Sequence, residues 1–173
     1  LQAEQKIDEL KNRLEKLVQH KDKLDRDIDN LEISDDTSAE TRIWQEELRG
    51  LEELNSINQD IQEASELIKP FSEKSATKLG ELKNSPDFNQ ASNNIEETIS
   101  SLQQNNSKKA KNSSQATINN LNNIQEQLTN IQQEFQDETV SEMAEKLEKI
   151  MRDILFLSKK QEKLRIETLS LSR

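Results

Sequence analysis

The sequence predicts an all-α fold, an elongated coiled-coil bundle of antiparallel helical hairpins, and three features carry that prediction. Apolar residues recur at steps of three and four almost throughout, the pattern that lays them along one stripe of a helix. The 173 residues include only two Gly and two Pro, so little interrupts a helix once begun. With 34% charged and 31% hydrophobic residues, burial is a thin line between helices rather than a thick core. Only the regular periodicity separates such a composition from that of a disordered chain.

The first helix follows from Ala3, Ile7, Leu10, Leu14, Leu17, Lys21, Leu24, Ile28 and Leu31, an unbroken heptad in which Lys21 is the one polar seam position. Its long aliphatic stem lets Lys21 snorkel, and that is the expectation here over a role in fixing register. Glu9 with Arg13 and Asp22 with Arg26 sit at helical spacing on the outer face, each pair contributing ~0.2–0.5 kcal/mol. Residues 34–38 break the pattern. Thr37 followed by Glu40 reads as a capping box that starts a second helix.

That second helix carries Ile43, Trp44, Leu48, Leu51, Leu54, Ile57, Ile61, Ala64 and Ile68, and Gly50 weakens it by up to ~1 kcal/mol relative to Ala. The first two helices are nearly equal in length and closely joined, so they are expected to form an antiparallel hairpin roughly 45–50 Å long. Pro70 lacks an amide hydrogen and crowds the preceding turn, which ends or kinks the helix near Lys69. A shorter helical piece follows over 72–82. Ser85 then caps a fourth helix with Pro86 at its first position, built on Phe88, Ala91, Ile95, Thr98 or Ile99, and Leu102.

After a turn at 104–108, a fifth helix runs to Phe135 on Ala110, Thr117, Leu121, Ile124, Leu128, Ile131 and Phe135. Twenty Asn or Gln residues lie between 89 and 136, a bias shared with prion-like disordered tracts, but the spaced Leu and Ile continue through it and favour helix. Thr139 with Glu142 reads as a second capping box and launches a sixth helix, which is expected to fold back as a further hairpin. This last stretch, 140–171, is the most apolar of the chain. Val140, Met143, Leu147, Ile150, Ile154, Leu157, Gln161, Leu164, Thr168 and Leu171 form its stripe, and Met151, Leu155, Phe156, Ile166 and Leu169 widen it beyond a two-residue seam. It is therefore expected to take at least two neighbours and to be the element around which the rest is organised. The domain organisation that follows is an N-terminal hairpin over 1–69, a short helix and linker over 70–86, and a C-terminal three-helix segment over 87–173.

Charge and composition exclude several functions. A net charge of −10 disfavours nucleic acid or an anionic membrane as partner. Without Cys there are no disulfides or thiolate metal sites. The longest apolar run, 154–157, is far short of the ~20 residues of a membrane span, so no insertion by this segment is expected. Leu1 opens the sequence without Met and inside a helical pattern, as expected for an internal piece of a longer chain.

No catalytic, cofactor-binding or metal site is expected. Asp25, Asp27, Asp29 and Asp36 imitate the spacing of a calcium loop, but Asn30 replaces its turn glycine and the helical seam runs through it. His20 is the lone histidine and lies off the seam. Adjacent carboxylates such as Glu46 and Glu47 or Glu52 and Glu53 diverge around a helix, whereas acid–base chemistry needs convergence in a cleft. The candidate interaction residues are Trp44, Ile154 and Phe156. Trp44 either closes the open end of the first hairpin or anchors another chain. Ile154 lies mid-stripe, where Asp is expected to bury an unpaired charge. Phe156, off the stripe, reports whether the second neighbour lies within the chain or in a partner.

One resemblance adds to this reading. The run 91–102, the turn 103–108, Ala110, Gln115, Ala116 and the run 121–128 lead to Leu147, Ile150, Met151, Ile154, Leu155, Leu157, Ser158, Gln161, Glu162 and Leu164. From about Phe88 onward this order resembles uncharacterised, Gln-rich, membrane-anchored bacterial envelope proteins of Bacteroidetes-like type. Its most specific piece is Leu157, Ser158, Gln161 and Glu162. The resemblance implies an extracytoplasmic, periplasmic helical region with its membrane anchor elsewhere, and no activity; a cytoplasmic location stays open. Together these readings lead to a non-enzymatic scaffold segment that binds a protein partner, or itself, through its helices. The alternative is a regulatory bundle that senses a small ligand, and a hydrolase is a distant third.

Overall fold

The computed structural model describes the backbone of residues 2–31 and 37–171 and the side chains of 2–31 and 38–165. Its regular elements are α1 (Gln2–Leu31), α2 (Thr37–Ile68), α3 (Glu73–Lys83), α4 (Pro86–Gln103) and α5 (Ser107–Leu171). The fold is all-α, as the periodicity predicts. The Thr37 side chain of the first expected capping box lies outside the described residues.

The helix boundaries have local causes. α2 stops at Ile68 before Pro70, and the amides of Phe71 and Ser72 both donate to the Ile68 carbonyl at 2.9 Å. Ser72 is extended and its hydroxyl accepts the Ser75 amide at 2.9 Å, which caps α3. Ser85 accepts the Phe88 amide and Pro86 opens α4, where its missing donor costs nothing. Between α4 and α5 the chain reverses through Asn105 at φ 54°, a left-handed conformation that Asn tolerates better than most residues. Asn106 then accepts the Lys109 amide at 3.1 Å at the start of α5.

The chain forms two compact units, Leu1–Phe135 and Gln136–Arg173. The first is an up-down-up-down bundle whose third arm is α3 and α4 in succession. Its direction is read from ion pairs and hydrogen bonds. Lys6, Arg13, Lys21 and Asp27 rise along α1 while their partners Asp60, Glu53, Glu47 and Arg42 fall along α2. α5 runs antiparallel to α1, with Lys111 on Asp29 and Gln132 on Lys11, and antiparallel to α4, with Ser113 on Glu97 and Gln127 on Asp87.

Every seam residue expected of α1 is buried, and so are those of α4 and of α5 up to Phe135. One apolar cluster joins α1 from Ala3 to Val18, α2 from Leu54 on, α3, α4 and α5 from Leu121 to Phe135. Ile7, Ile57, Leu79, Ile95 and Leu128 are fully buried within it, each contributing about 1.5–3 kcal/mol by leaving water. A smaller cluster of Leu24, Ile28, Leu31, Ile43, Leu102 and Ala110 closes the other end. The expected N-terminal hairpin of α1 and α2 is thus part of one bundle with α3, α4 and the first part of α5, and the second expected hairpin does not form.

Two expectations are corrected. Thr139 and Glu142 start nothing, because α5 continues through them as one helix of 65 residues. The capping signature is local, and with neither Gly nor Pro between 107 and 171 nothing forces the preceding residues out of helical geometry. Residues 87–173 accordingly hold two helices, not three. Nor is the last stretch the centre of the core: its described side chains, 140–165, lie outside the two apolar clusters, which are built by residues up to Phe135, and the side chains of 166–171 lie outside the described residues.

Candidate functional site

The second unit offers the most conspicuous surface. Val140, Met143, Leu147, Ile150, Met151, Ile154, Leu155, Phe156, Leu157 and Leu164 are each between 52% and 68% exposed. Helical spacing gathers most of them on one broad face, with a and d positions at Leu147, Ile150, Ile154, Leu157 and Leu164. Phe156 stands apart, about 200° around the axis from Ile154 at ~100° per residue. The expectation that Ile154 is buried is therefore overturned: it is 59% exposed. Periodicity shows that a helix has an apolar face, not that anything in the same chain covers it.

The polar residues of this unit pair along their own helix, Lys146 with Glu142 at 2.7 Å and Arg152 with Glu148 at 3.8 Å. Asp153 and Lys160, which flank the stripe, have no ion-pair partner among the described residues. Pairs this exposed add little stability, and they leave the apolar face open.

Within the first unit, sequence reasoning missed one site. Lys21 does not snorkel: its ammonium donates to Glu47, and both side chains are 0% exposed. Burial pushes the Lys21 ammonium below its ordinary value, against the pull of Glu47 and Asp25. Glu47 Oε1 and Asp25 Oδ1 are buried without a hydrogen-bond partner. The signal was present on α2. Ile43, Glu47, Gly50 and Leu54 follow steps of four and three, and these are the buried residues, while Leu48 is 39% exposed. Choosing the apolar Trp44, Leu48 and Leu51 hid a polar seam position that faces Lys21.

Trp44 is half-buried and packs against both apolar clusters, beside the level of the ion pair. It bridges core segments, and its remaining surface lines a shallow depression with Glu40, Leu102 and Asn105. A larger groove of about 1070 Å³ runs between α3 and α5, lined by Lys78, Gly80, Asn84, Gln127, Asn130 and Glu134 among others. Lys78 and Glu134 bridge it at 2.6 Å.

Two of the calcium-like aspartates are paired with basic side chains instead. Asp25, Asp27 and Asp29 lie in α1, with Asp27 on Arg42 and Asp29 on Lys111; Asp36 is outside the described residues. Among the described residues no three acidic, His or Cys side chains gather as metal ligands. His20 is about one-third exposed, 3.7 Å from Glu46. No helix among the described residues is long and apolar enough to cross a membrane. No family model, curated protein or solved structure matches the chain.

Proposed function

We propose that this chain is a non-enzymatic scaffold segment that joins proteins through its helices, with the apolar face of α5 beyond Phe135 as the docking surface. One observation carries this reading: ten large apolar side chains between Val140 and Leu164 stand more than half exposed. Apolar surface gathered to that degree on one helix is a standing drive to associate, because covering it removes it from water. The helix itself is regular, so a partner helix meets a preformed ridge and little conformational entropy is lost on docking. The first unit supplies a folded base with its own apolar core.

A bacterial envelope setting belongs to this proposal through the resemblance at Leu157, Ser158, Gln161 and Glu162. The test is affinity capture from the cells that make the protein, comparing the unaltered chain with Ile154→Asp/Leu157→Asp. Loss of the specifically captured chains, the protein's own copies included, is the expected result. Capture of the same set by both proteins contradicts the docking role.

A second reading, a regulatory bundle that senses a small ligand, is favoured by the groove between α3 and α5. The amides of Asn84, Gln127 and Asn130 beside Leu82 and Ile131 supply polar groups next to apolar wall. Gly80 has open space where a side chain begins, so Gly80→Trp fills the groove. A ligand that raises the melting temperature of the unaltered protein but not of Gly80→Trp establishes this reading.

A further inference from the structure

We infer that the occupant of the α5 stripe is the same stripe of a second copy of this chain, laid antiparallel. This rests on the proposed docking role and names its partner. The argument is one of charge and register. In the heptad that sets Leu147, Ile154 and Gln161 at a and Ile150, Leu157 and Leu164 at d, the flanking g positions are Lys146, Asp153 and Lys160, and the e positions are Met151, Ser158 and Arg165. These flanking positions decide orientation in a coiled coil.

A parallel pair sets each g against the e five residues on in the other copy. Lys160 then meets Arg165, a like-charge contact made twice by symmetry, while Lys146 meets Met151 and Asp153 meets Ser158. No attraction compensates. An antiparallel pair sets g against g. With its two-fold axis between residues 155 and 156, Ile154 packs on Leu157 of the second copy, Leu147 on Leu164, and Ile150 on Gln161. In that register Asp153 of each copy faces Lys160 of the other.

Asp153, Lys160 and Arg165 are the flanking charges that have no ion-pair partner among the described residues of their own chain, and the antiparallel register sets the first two against each other while separating Arg165 from Lys160. The wider charge distribution agrees. Between 140 and 153 four carboxylates stand with three basic side chains, and between 154 and 165 one carboxylate stands with four basic ones. Antiparallel pairing brings the acidic-leaning half of one helix onto the basic half of the other. Phe156, at position c, lies outside the seam.

Sedimentation equilibrium on the 173-residue chain tests this. The unaltered chain sediments at twice its 20.0 kDa mass, Ile154→Asp at the single mass, and Phe156→Ala at the double mass. Lys160→Glu opposes two carboxylates across the antiparallel seam and weakens association on the order of tenfold; adding Asp153→Lys restores it by exchanging the two charges. Stronger association in Lys160→Glu overturns the proposal in favour of a parallel pair, since the introduced carboxylate would then attract Arg165 of the other copy. A chain that stays at the single mass at every concentration also overturns it. In that case the capture experiment decides separately: chains lost with Ile154→Asp/Leu157→Asp leave the docking role standing with a different protein as occupant, and no loss removes both.

Discussion

Lys21 and Glu47 meet across α1 and α2 at the point where the apolar core divides. On one side lie Leu17 and Leu54 in the larger cluster, and on the other Leu24 and Ile43 in the smaller. Two charges withdrawn from water are a poor source of net stability, because desolvation offsets most of their attraction. Their worth lies in matching. If α1 slid by a turn against α2, each charge would face an apolar layer alone, so the pair fixes the register of the hairpin.

Breaking the pair from one side is therefore expected to be far costlier than removing it. Lys21→Met leaves Glu47 buried and uncompensated and should lower unfolding free energy by about 3–5 kcal/mol, whereas Lys21→Met/Glu47→Met should recover most or all of it. Urea denaturation of both variants checks this, and equal losses would remove the pair's role.

Acid should weaken the hairpin through Asp60. Burial alone would raise its carboxyl, but hydrogen bonds and charge from Lys6 and Arg13 outweigh burial and hold it below the ordinary 3.8. A folded-state value below the unfolded one means stability that is fully present above about pH 4–5 and lost as pH falls through the folded value. Asp60→Asn should flatten that part of the acid limb, as followed by helical ellipticity against pH.

Gly80→Ala should stabilise the first unit by up to about 1 kcal/mol, since Gly80 lies in α3 and a Cβ there meets nothing within 4 Å. The melting temperature should rise, and a fall would mean that α3 is not helical at Gly80.

Continuity of α5 makes a further demand. If Thr139 capped a new helix, Thr139→Ala would cost about 1 kcal/mol; inside an unbroken helix the change should be within about 0.5 kcal/mol with helix content undiminished. Circular dichroism and urea unfolding together distinguish the two.

Where local chemistry decides, the sequence was readable. Ser85 and Pro86 marked the start of α4, Pro70 the end of α2, and the heptad from Ala3 to Leu31 a buried face on which every position is now buried. Thr139 and Glu142 failed because the same residue pattern occurs inside helices, and only a breaker nearby would have made it a boundary. Glu47 failed because apolar neighbours at Trp44 and Leu48 offered an easier stripe, and only the facing Lys21 reveals the charged one. The stripe around Ile154 was legible as a face and illegible as a surface. What covers an apolar face is a property of the partner, and periodicity in one chain contains no term for it.

The separation of a core that ends at Phe135 from an apolar face kept for docking is tested most directly by comparing Ile154→Asp with Ile57→Asp. Both place a carboxylate on an apolar seam, but Ile57 is fully buried and Ile154 is 59% exposed. In urea unfolding of the first unit's core, followed by Trp44 fluorescence at protein concentrations too low for association, Ile57→Asp should lose several kcal/mol or fail to fold. Ile154→Asp should stay within about 0.5 kcal/mol of the unaltered chain. A comparable loss from Ile154→Asp under those conditions would show that the stripe is covered within the chain, and the account of it as a docking surface would be wrong.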